Sequence, residues 1–491
     1  MDLKVDRKSP TPLHLQIAHH LRELILKGVI PAGGQLPPTR KFARELGVNR
    51  STVVQAYHKL WSEGLIEGHV GRGTTVRHNP GAEAPVSPLP WEMLLAPQPE
   101  AVELEIRELM RLFSREDLIS LAAGLPSPDL YPLEEVAEIA GEVLADEGTT
   151  LLQRCAVEGY LPLRRLLAER MGLSPRETLI LSGSQQGLYL LAQALITPGD
   201  FVVVEAPTYL GALQVFRAAG ARLIGVPVDE HGMDMTMLEN VLARTQPKFI
   251  YTLPTFQNPA GITMVTERRQ RLLDLAYRYR TPVIEDDPYS LLRYEGEALP
   301  PLANLDTHGY VIYLSTFSKI LFPGLRIGWL AAPQRVVEHL ATLKRMIDLF
   351  TNAPAQAVIA EFCRRGLLER HLEGVRDEYR QRRDTMVGAL KDHCPKIEFA
   401  VPEGGYFIWC RLPRGIAARE LLREAFRERV SFLTGELFYP DGRGQEEIRL
   451  TFTHQPPATI TEGIRRLGQA LRRLKRNRVE KAEEALLKPI V

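Results

Sequence analysis

Leu13, Ile17, Leu21 and Leu24 repeat at helical spacing, and the repeat stops at Gly28 and Pro31, which predicts a helix over roughly 12–27. The run TRKFAREL predicts a short second helix that buries Phe42 and Leu46. After the tight GVN turn a third helix follows. Its Val53, Tyr57 and Leu60 face the first two, with Asn49 or Ser51 placed to cap its start. The exposed beginning then carries Arg50, Ser51, Thr52 and Gln55. GLIEGHVGRGTTVRH alternates around a Gly-Arg-Gly tip, the pattern of a two-stranded wing. Residues 1–77 therefore predict a winged helix-turn-helix domain.

Two changes of pattern follow. Residues 78–104 are rich in Pro and Ala and hold no sustained period, so they read as an extended, semi-stiff linker. From 105 onward, helical patterns alternate with the short β-rich runs ETLILSG, DFVVVEAP, RLIGVPV, KFIYTLP, PVIEDD, VIYLSTFS and RIGWLAA. Strands apolar on both faces and interleaved with helices predict a covered, mainly parallel sheet and an α/β class. Near the C-terminus Ile464, Leu467, Leu471 and Leu474 share one helix face opposite a dense arginine face, which reads as the solvated side of a final helix.

A length of 491 residues with 45% apolar content implies about three folding units. MDLKVDRKSP lacks an apolar leader and no window approaches the roughly 18 apolar residues of a membrane span, so a cytoplasmic location is expected and no membrane partner. Cys155, Cys363, Cys394 and Cys410 stand far apart in no metal-ligand spacing, and reduced thiols with no metal site are expected. The net charge of +1 hides an asymmetry: residues 1–77 hold 12 positive and 6 negative side chains, net +6, which leaves −5 for the rest. A basic N-terminal segment points to a polyanion partner.

Chemistry gathers at the ends of the predicted strands. No G-x-x-x-x-G-K-[ST] and no G-x-G-x-x-G follows any of them, which argues against nucleotide and dinucleotide loops. Instead, SGSQQG opens a helix with Gly183, Ser184 and Gln185 amides suited to a phosphate. Tyr209 lies past one strand, Asn258 in PTFQNPAG, Asp286 and Tyr289 in EDDPY, and Lys319 in STFSKILFPGLRIGW, with Arg326 seven positions on. Each has a plain alternative as packing, turn, cap or surface residue. Taken together they describe a phosphorylated aromatic aldehyde, pyridoxal 5′-phosphate. The helix start, Thr316, Ser318 and Arg326 take its phosphate, and Tyr209 stacks on its ring. Asp286 keeps the ring nitrogen protonated, Asn258 and Tyr289 reach the ring oxygen, and Lys319 bonds the aldehyde carbon.

Two resemblances sharpen this picture. LPPTRKFARELGVNRSTVVQAYHKLWSEGLIEGHVGRGTTV resembles the winged helix-turn-helix of GntR-type bacterial regulators. That resemblance implies double-stranded operator DNA as partner, approached by Arg40, Arg50, Ser51, Thr52, Gly71 and Arg72. SGSQQG, PTFQNPAG, EDDPY and STFSKILFPGLRIGW resemble fold-type I aminotransferases acting on α-aminoadipate and aromatic amino acids. This implies a large domain over 105–345, whose first stretch is a candidate part of the small domain, and a small α+β domain over 346–491. It also implies Lys319, Asp286 and Tyr209 as the catalytic set, with Gly124 and a bidentate Arg449 holding a substrate or effector α-carboxylate.

The whole chain resembles the MocR/GabR subfamily, which implies a head-to-tail homodimer sensing an amine, an amino acid or the cofactor itself. Two departures stand out. RCAVEGY puts Arg154 where the family has a tyrosine that reaches the partner's phosphate, and Asn258 is present where many members lack it. The competing function is a working aminotransferase with an accessory DNA-binding arm. A metal phosphohydrolase built on Glu285, Asp286 and Asp287 lacks the histidines or phosphate loop it would need.

Overall fold

The computed structural model describes residues 5–7, 9–69, 73–77 and 117–487, with residues 69 and 477–487 described by backbone alone. The chain divides into two compact units, Met1–Glu100 and Ala101–Val491. The expected linker over 78–104, the following stretch to 116 and the wing-tip residues Gly71 and Arg72 lie outside the described residues.

In the first unit, α1 (Leu13–Leu26), α2 (Thr39–Leu46) and α3 (Arg50–Ser62) precede β1 (Ile66–His69) and β2 (Gly73–Val76), which pair antiparallel. Ile17, Leu21, Phe42, Val53, Tyr57 and Leu60 form its core with Ile66 and Val76. Complete burial of side chains this size is worth about 1.5–3 kcal/mol each, the main force on so small a unit. Gly47 closes α2 at φ +62, a left-handed turn that sends α3 off at an angle to α2. Asn49 occupies the cap position of α3, but its side chain makes no capping bond; the Thr52 N–H bonds the Asn49 backbone carbonyl at 3.0 Å instead.

The second unit holds an eight-stranded sheet. Its strands are β4 (Thr178–Leu181), β5 (Phe201–Ala206), β6 (Arg222–Asp229), β7 (Gly232–Met233), β8 (Ile250–Thr252), β9 (Val283–Asp286), β10 (Val311–Thr316) and β11 (Gly328–Ala331), in the order β4-β11-β10-β9-β8-β5-β6-β7. From β10 through β6 all neighbours are parallel, while β11 runs antiparallel to both neighbours and β7 antiparallel to β6. Both faces are covered, as the apolar runs require: on β5, Val202 and Val204 belong to one core and Val203 to another.

A second, antiparallel sheet has the order β12 (Glu398–Phe399), β13 (Phe407–Arg411), β16 (Glu447–Thr451) and β15 (Leu433–Thr434). Val430–Ser431, strand β14, pairs parallel with Ile119–Ser120, strand β3. The last helix, Pro457–Leu487, buries Ile464, Leu467, Leu471 and Leu474, and on its outer side Arg465 and Arg466 pair with Glu462.

Candidate functional site

Parallel strands direct their C-terminal ends to one edge of the sheet, so side chains distant in sequence meet there. Tyr209 follows β5, Asp286 ends β9, and Lys319 follows β10. A cavity of about 250 Å³ lies at this edge. Nine expected residues line it: Gly124, Ser184, Tyr209, Asn258, Asp286, Tyr289, Thr316, Lys319 and Arg449.

Lys319 Nζ donates to the Gly124 carbonyl at 2.6 Å, and its own carbonyl is held by the Tyr406 hydroxyl at 2.6 Å. Burial, then the charges of Arg449 and Arg326, push its pKa down to about 8. Asp286 accepts the Tyr251 hydroxyl on Oδ2 at 2.7 Å. Burial drives its pKa up to about 7. Its Oδ1 is fully buried with no hydrogen-bond partner, a costly state for a carboxylate and one that a protonated ring nitrogen relieves. That orphaned acceptor is the clearest sign that the residues present fit pyridoxal 5′-phosphate.

The phosphate end fits as well. Gly183, at φ +90, precedes the helix Ser184–Leu195, whose first amides have no partner within the helix. A Cβ on Gly183 would stand 2.6 Å from Arg326 Nη2, so only glycine lets the guanidinium lie over the helix start. Arg326 also bonds the Ser182 carbonyl at 3.3 Å. Thr316 Oγ1 donates to Ser318 Oγ at 3.0 Å, placing the two hydroxyls together. Gln185 turns its side chain to the Tyr209 hydroxyl at 3.2 Å, so Tyr209 is tied to the same helix. Burial, then Asp286, raises the Tyr209 phenol to about 12, and it stays protonated at neutral pH.

Arg449, on β16, enters from the second sheet. Nη1 donates to Asn258 Oδ1 at 3.0 Å and Nη2 to the Ala122 carbonyl at 2.7 Å, while Nε is buried without a partner. Its guanidinium lies 4.1 Å from the Phe407 ring centroid and 5.0 Å from that of Phe438. Burial lowers its pKa to about 10, still high enough to keep the charge. A Cβ on Gly124 would meet Phe407 at 3.2 Å, so that glycine keeps the cavity wall open beside Arg449.

Sequence reasoning missed Tyr251, Tyr406, Phe407 and Phe438. Tyr251 lies in the predicted strand KFIYTLP, but its bond to Asp286 depends on β8 lying beside β9, which no local pattern reveals. The candidate phosphohydrolase carboxylates diverge. Glu285 takes the Leu302 and Ala303 amides, Asp286 takes Tyr251, and Asp287 takes the Tyr313 hydroxyl.

In the first unit, Arg40 on α2 and Arg50 and Ser51 at the start of α3 are exposed, with Thr52 half-buried behind them. A helix start carrying exposed guanidinium and hydroxyl groups has the donors needed for phosphates and base edges.

Comparison with known proteins agrees with both halves. The bacterial regulatory proteins of the gntR family match residues 13–76, and the class I and II aminotransferases match residues 116–467. The aromatic-amino-acid aminotransferase 1 of Thermococcus litoralis is 42% identical over 380 residues, covering 75% of this chain and 91% of its own. The probable rhizopine catabolism regulatory protein MocR of Rhizobium meliloti is 30% identical over 487 residues, covering 95% of each chain. Among solved structures, the alpha-aminoadipate aminotransferase LysN of Thermus thermophilus, complexed with N-(5′-phosphopyridoxyl)-L-leucine, superposes with a TM-score of 0.72. It is 39% identical, covering 75% of this chain and 94% of that one.

Proposed function

The chain belongs to the MocR-type regulators, a GntR-family DNA-binding unit joined to a class I and II aminotransferase unit, and from that premise we propose that it couples operator binding to the sensing of an amino compound through pyridoxal 5′-phosphate at Lys319. The observation that carries this reading is the combination of a full-length regulator relative with a cavity in which Asp286 Oδ1 and Arg449 Nε are both buried and unsatisfied. One orphan suits a ring N–H and the other a carboxylate.

When bound, the cofactor supplies an aldehyde carbon that reacts with amines and a pyridinium ring that withdraws electrons. The chain's own groups have distinct tasks around it. Lys319 Nζ, with its pKa lowered, is available as a neutral amine near neutral pH. Asp286 holds the ring-nitrogen proton at Oδ1. Gly183, Ser184, Thr316, Ser318 and Arg326 would hold the phosphate, Tyr209 would lie against the ring, and Asn258 and Tyr289 would bond the ring oxygen. Gly124 and Arg449 bind the α-carboxylate of the incoming compound, Arg449 from the second sheet, so binding draws together elements of both sheets.

Arg40, Arg50, Ser51 and Thr52, with Gly71 and Arg72 of the wing tip, face the DNA. The active form in this reading is a cytoplasmic head-to-tail homodimer bringing two such units to two half-sites. A retained transaminase activity is the second reading, and it has its own support: Asn258 completes the site, and the second unit is 42% identical to an aminotransferase.

Linkage distinguishes the two. If the chain is a sensor, the amino compound shifts operator affinity and operator DNA shifts amine affinity by the same factor, about 5–150-fold. Titrations with and without operator at fixed cofactor and salt measure both. If Arg449→Ala abolishes amine binding while wild-type operator affinity answers neither amines nor the cofactor, sensing fails. Keto-acid formation from the same compounds then measures the enzyme reading.

A further inference from the structure

Glu205 is a buried carboxylate, 1% exposed, with no cation among its hydrogen-bond partners. Such a group persists in an apolar sheet only where donors saturate it. Oε1 accepts the Thr252 hydroxyl at 2.5 Å, and Oε2 accepts the Leu253 N–H at 3.2 Å and Gln257 Nε2 at 2.9 Å. Gln257, also 1% exposed, donates the other hydrogen of Nε2 to the Pro207 carbonyl at 2.6 Å and takes the Ala260 N–H on Oε1 at 2.8 Å.

Neither side chain lines the cavity, yet each adjoins a segment that does. Pro207 stands two residues before Tyr209, and Gln257 directly precedes Asn258, whose Oδ1 holds Arg449 Nη1. One carboxamide thus ties together two loops that leave the sheet from different strands, β5 and β8.

We propose that Glu205 and Gln257 are positioning residues for the amine site: they fix the spacing between the Tyr209 and Asn258 segments, so that the ring-facing phenol and Asn258, with the carboxylate-binding Arg449 it holds, form one rigid body. The inference rests on the reading that Tyr209 faces the cofactor and Arg449 the amine. Removing the brace loosens two recognition elements at once, although it lies outside the cavity.

Three variants test this, each followed by thermal melting of the cofactor-free protein, the induced circular dichroism of the bound cofactor's visible band, and amine affinity of the cofactor-loaded protein. Gln257→Ala leaves the Pro207 carbonyl and the Ala260 N–H without this partner and Glu205 Oε2 one donor short, so melting is expected to drop, and the protein that remains folded at the assay temperature is expected to bind the amine about tenfold more weakly and to show a reduced induced band. Glu205→Gln is expected to stay within about twofold of wild type, because its amide oxygen still accepts Leu253 and Gln257 while its NH2 donates to the Thr252 hydroxyl, which turns from donor to acceptor. Gln257→Glu places a second carboxylate against Glu205. Its amine affinity is expected to fall at high pH and to recover as the pH drops and one shared proton restores a donor. Asp286 and Tyr251, the titratable groups that feel the charge of Glu205, are common to both proteins, so the wild-type profile is the control.

Wild-type amine affinity and induced band in Gln257→Ala, or equal damage in Glu205→Gln, overturns the proposal. If Gln257→Ala does not fold, a Gln257→Glu profile that parallels wild type at every pH does the same. Arg449→Ala separates this failure from failure of the underlying reading. If amine affinity is unchanged in Arg449→Ala, the amine does not bind at Arg449 and the underlying reading is wrong; if it is lost while the brace variants behave as wild type, only the brace is wrong.

Discussion

Lys319 is where single-residue electrostatics bears most directly on function. A neutral amine is the reactive form, and burial with Arg449 and Arg326 lowers the pKa from 10.5 to about 8. Capture of pyridoxal 5′-phosphate by the cofactor-free protein should therefore accelerate through pH 8 and level off above it. A free lysine would continue to gain up to 10.5. The stability sign follows from the same shift: between about 8 and 10.5 the unfolded chain holds this proton and the folded one does not, so this group's contribution rises with pH in that window. Stopped-flow absorbance across pH measures the rate. Arg449→Leu should move the inflection upward, and an unmoved inflection would leave burial and Arg326 as the causes. The motifs around Lys319 and Asp286 single both out in the sequence, and both line the cavity. Their chemical state is not legible there, because it depends on Tyr251, Arg449 and the orphaned Oδ1, which converge only in the folded chain.

At the scale of elements, α3 carries the DNA-facing prediction. Arg50→Ala should cost about 1–3 kcal/mol of operator affinity with relaxed preference at one position of each half-site, if the guanidinium reads a base. Binding titrations against operators altered one position at a time measure this. A uniform loss on every sequence would make Arg50 a phosphate clamp. The long elements were readable because an apolar stripe repeats over many turns: Ile17, Leu21, Val53, Tyr57 and Leu60 are all buried as their spacing predicts. The two-residue strands Ile119–Ser120, Gly232–Met233, Glu398–Phe399, Val430–Ser431 and Leu433–Thr434 were not, since two residues cannot show a period. The cap of α3 differed in detail because the Asn49 backbone, not its side chain, meets the Thr52 amide.

For the whole molecule, the proposed homodimer holds two DNA-binding units and should read two half-sites at a fixed separation. Inserting roughly 5 base pairs, half a helical turn, between them turns one half-site to the opposite face of the duplex and should weaken binding sharply. Operators of graded spacing in a gel-shift or anisotropy series check this, and indifference to spacing would count against a rigid paired reader. The sequence by itself determined the helices of the first unit, the covered, mainly parallel sheet and which polar residues stand at the strand ends, because local spacing and short motifs are properties of neighbours along the chain. The sheet order, the approach of Arg449 from the second sheet to Asn258, the Tyr251 bond to Asp286 and the Glu205–Gln257 brace were decided only by the tertiary structure. Asn258 and Arg449 stand 191 positions apart, and Glu205 and Gln257 52 apart. Contacts of that separation are selected by how whole elements pack and by which buried donors must find acceptors, and neither constraint leaves a periodic trace in the chain.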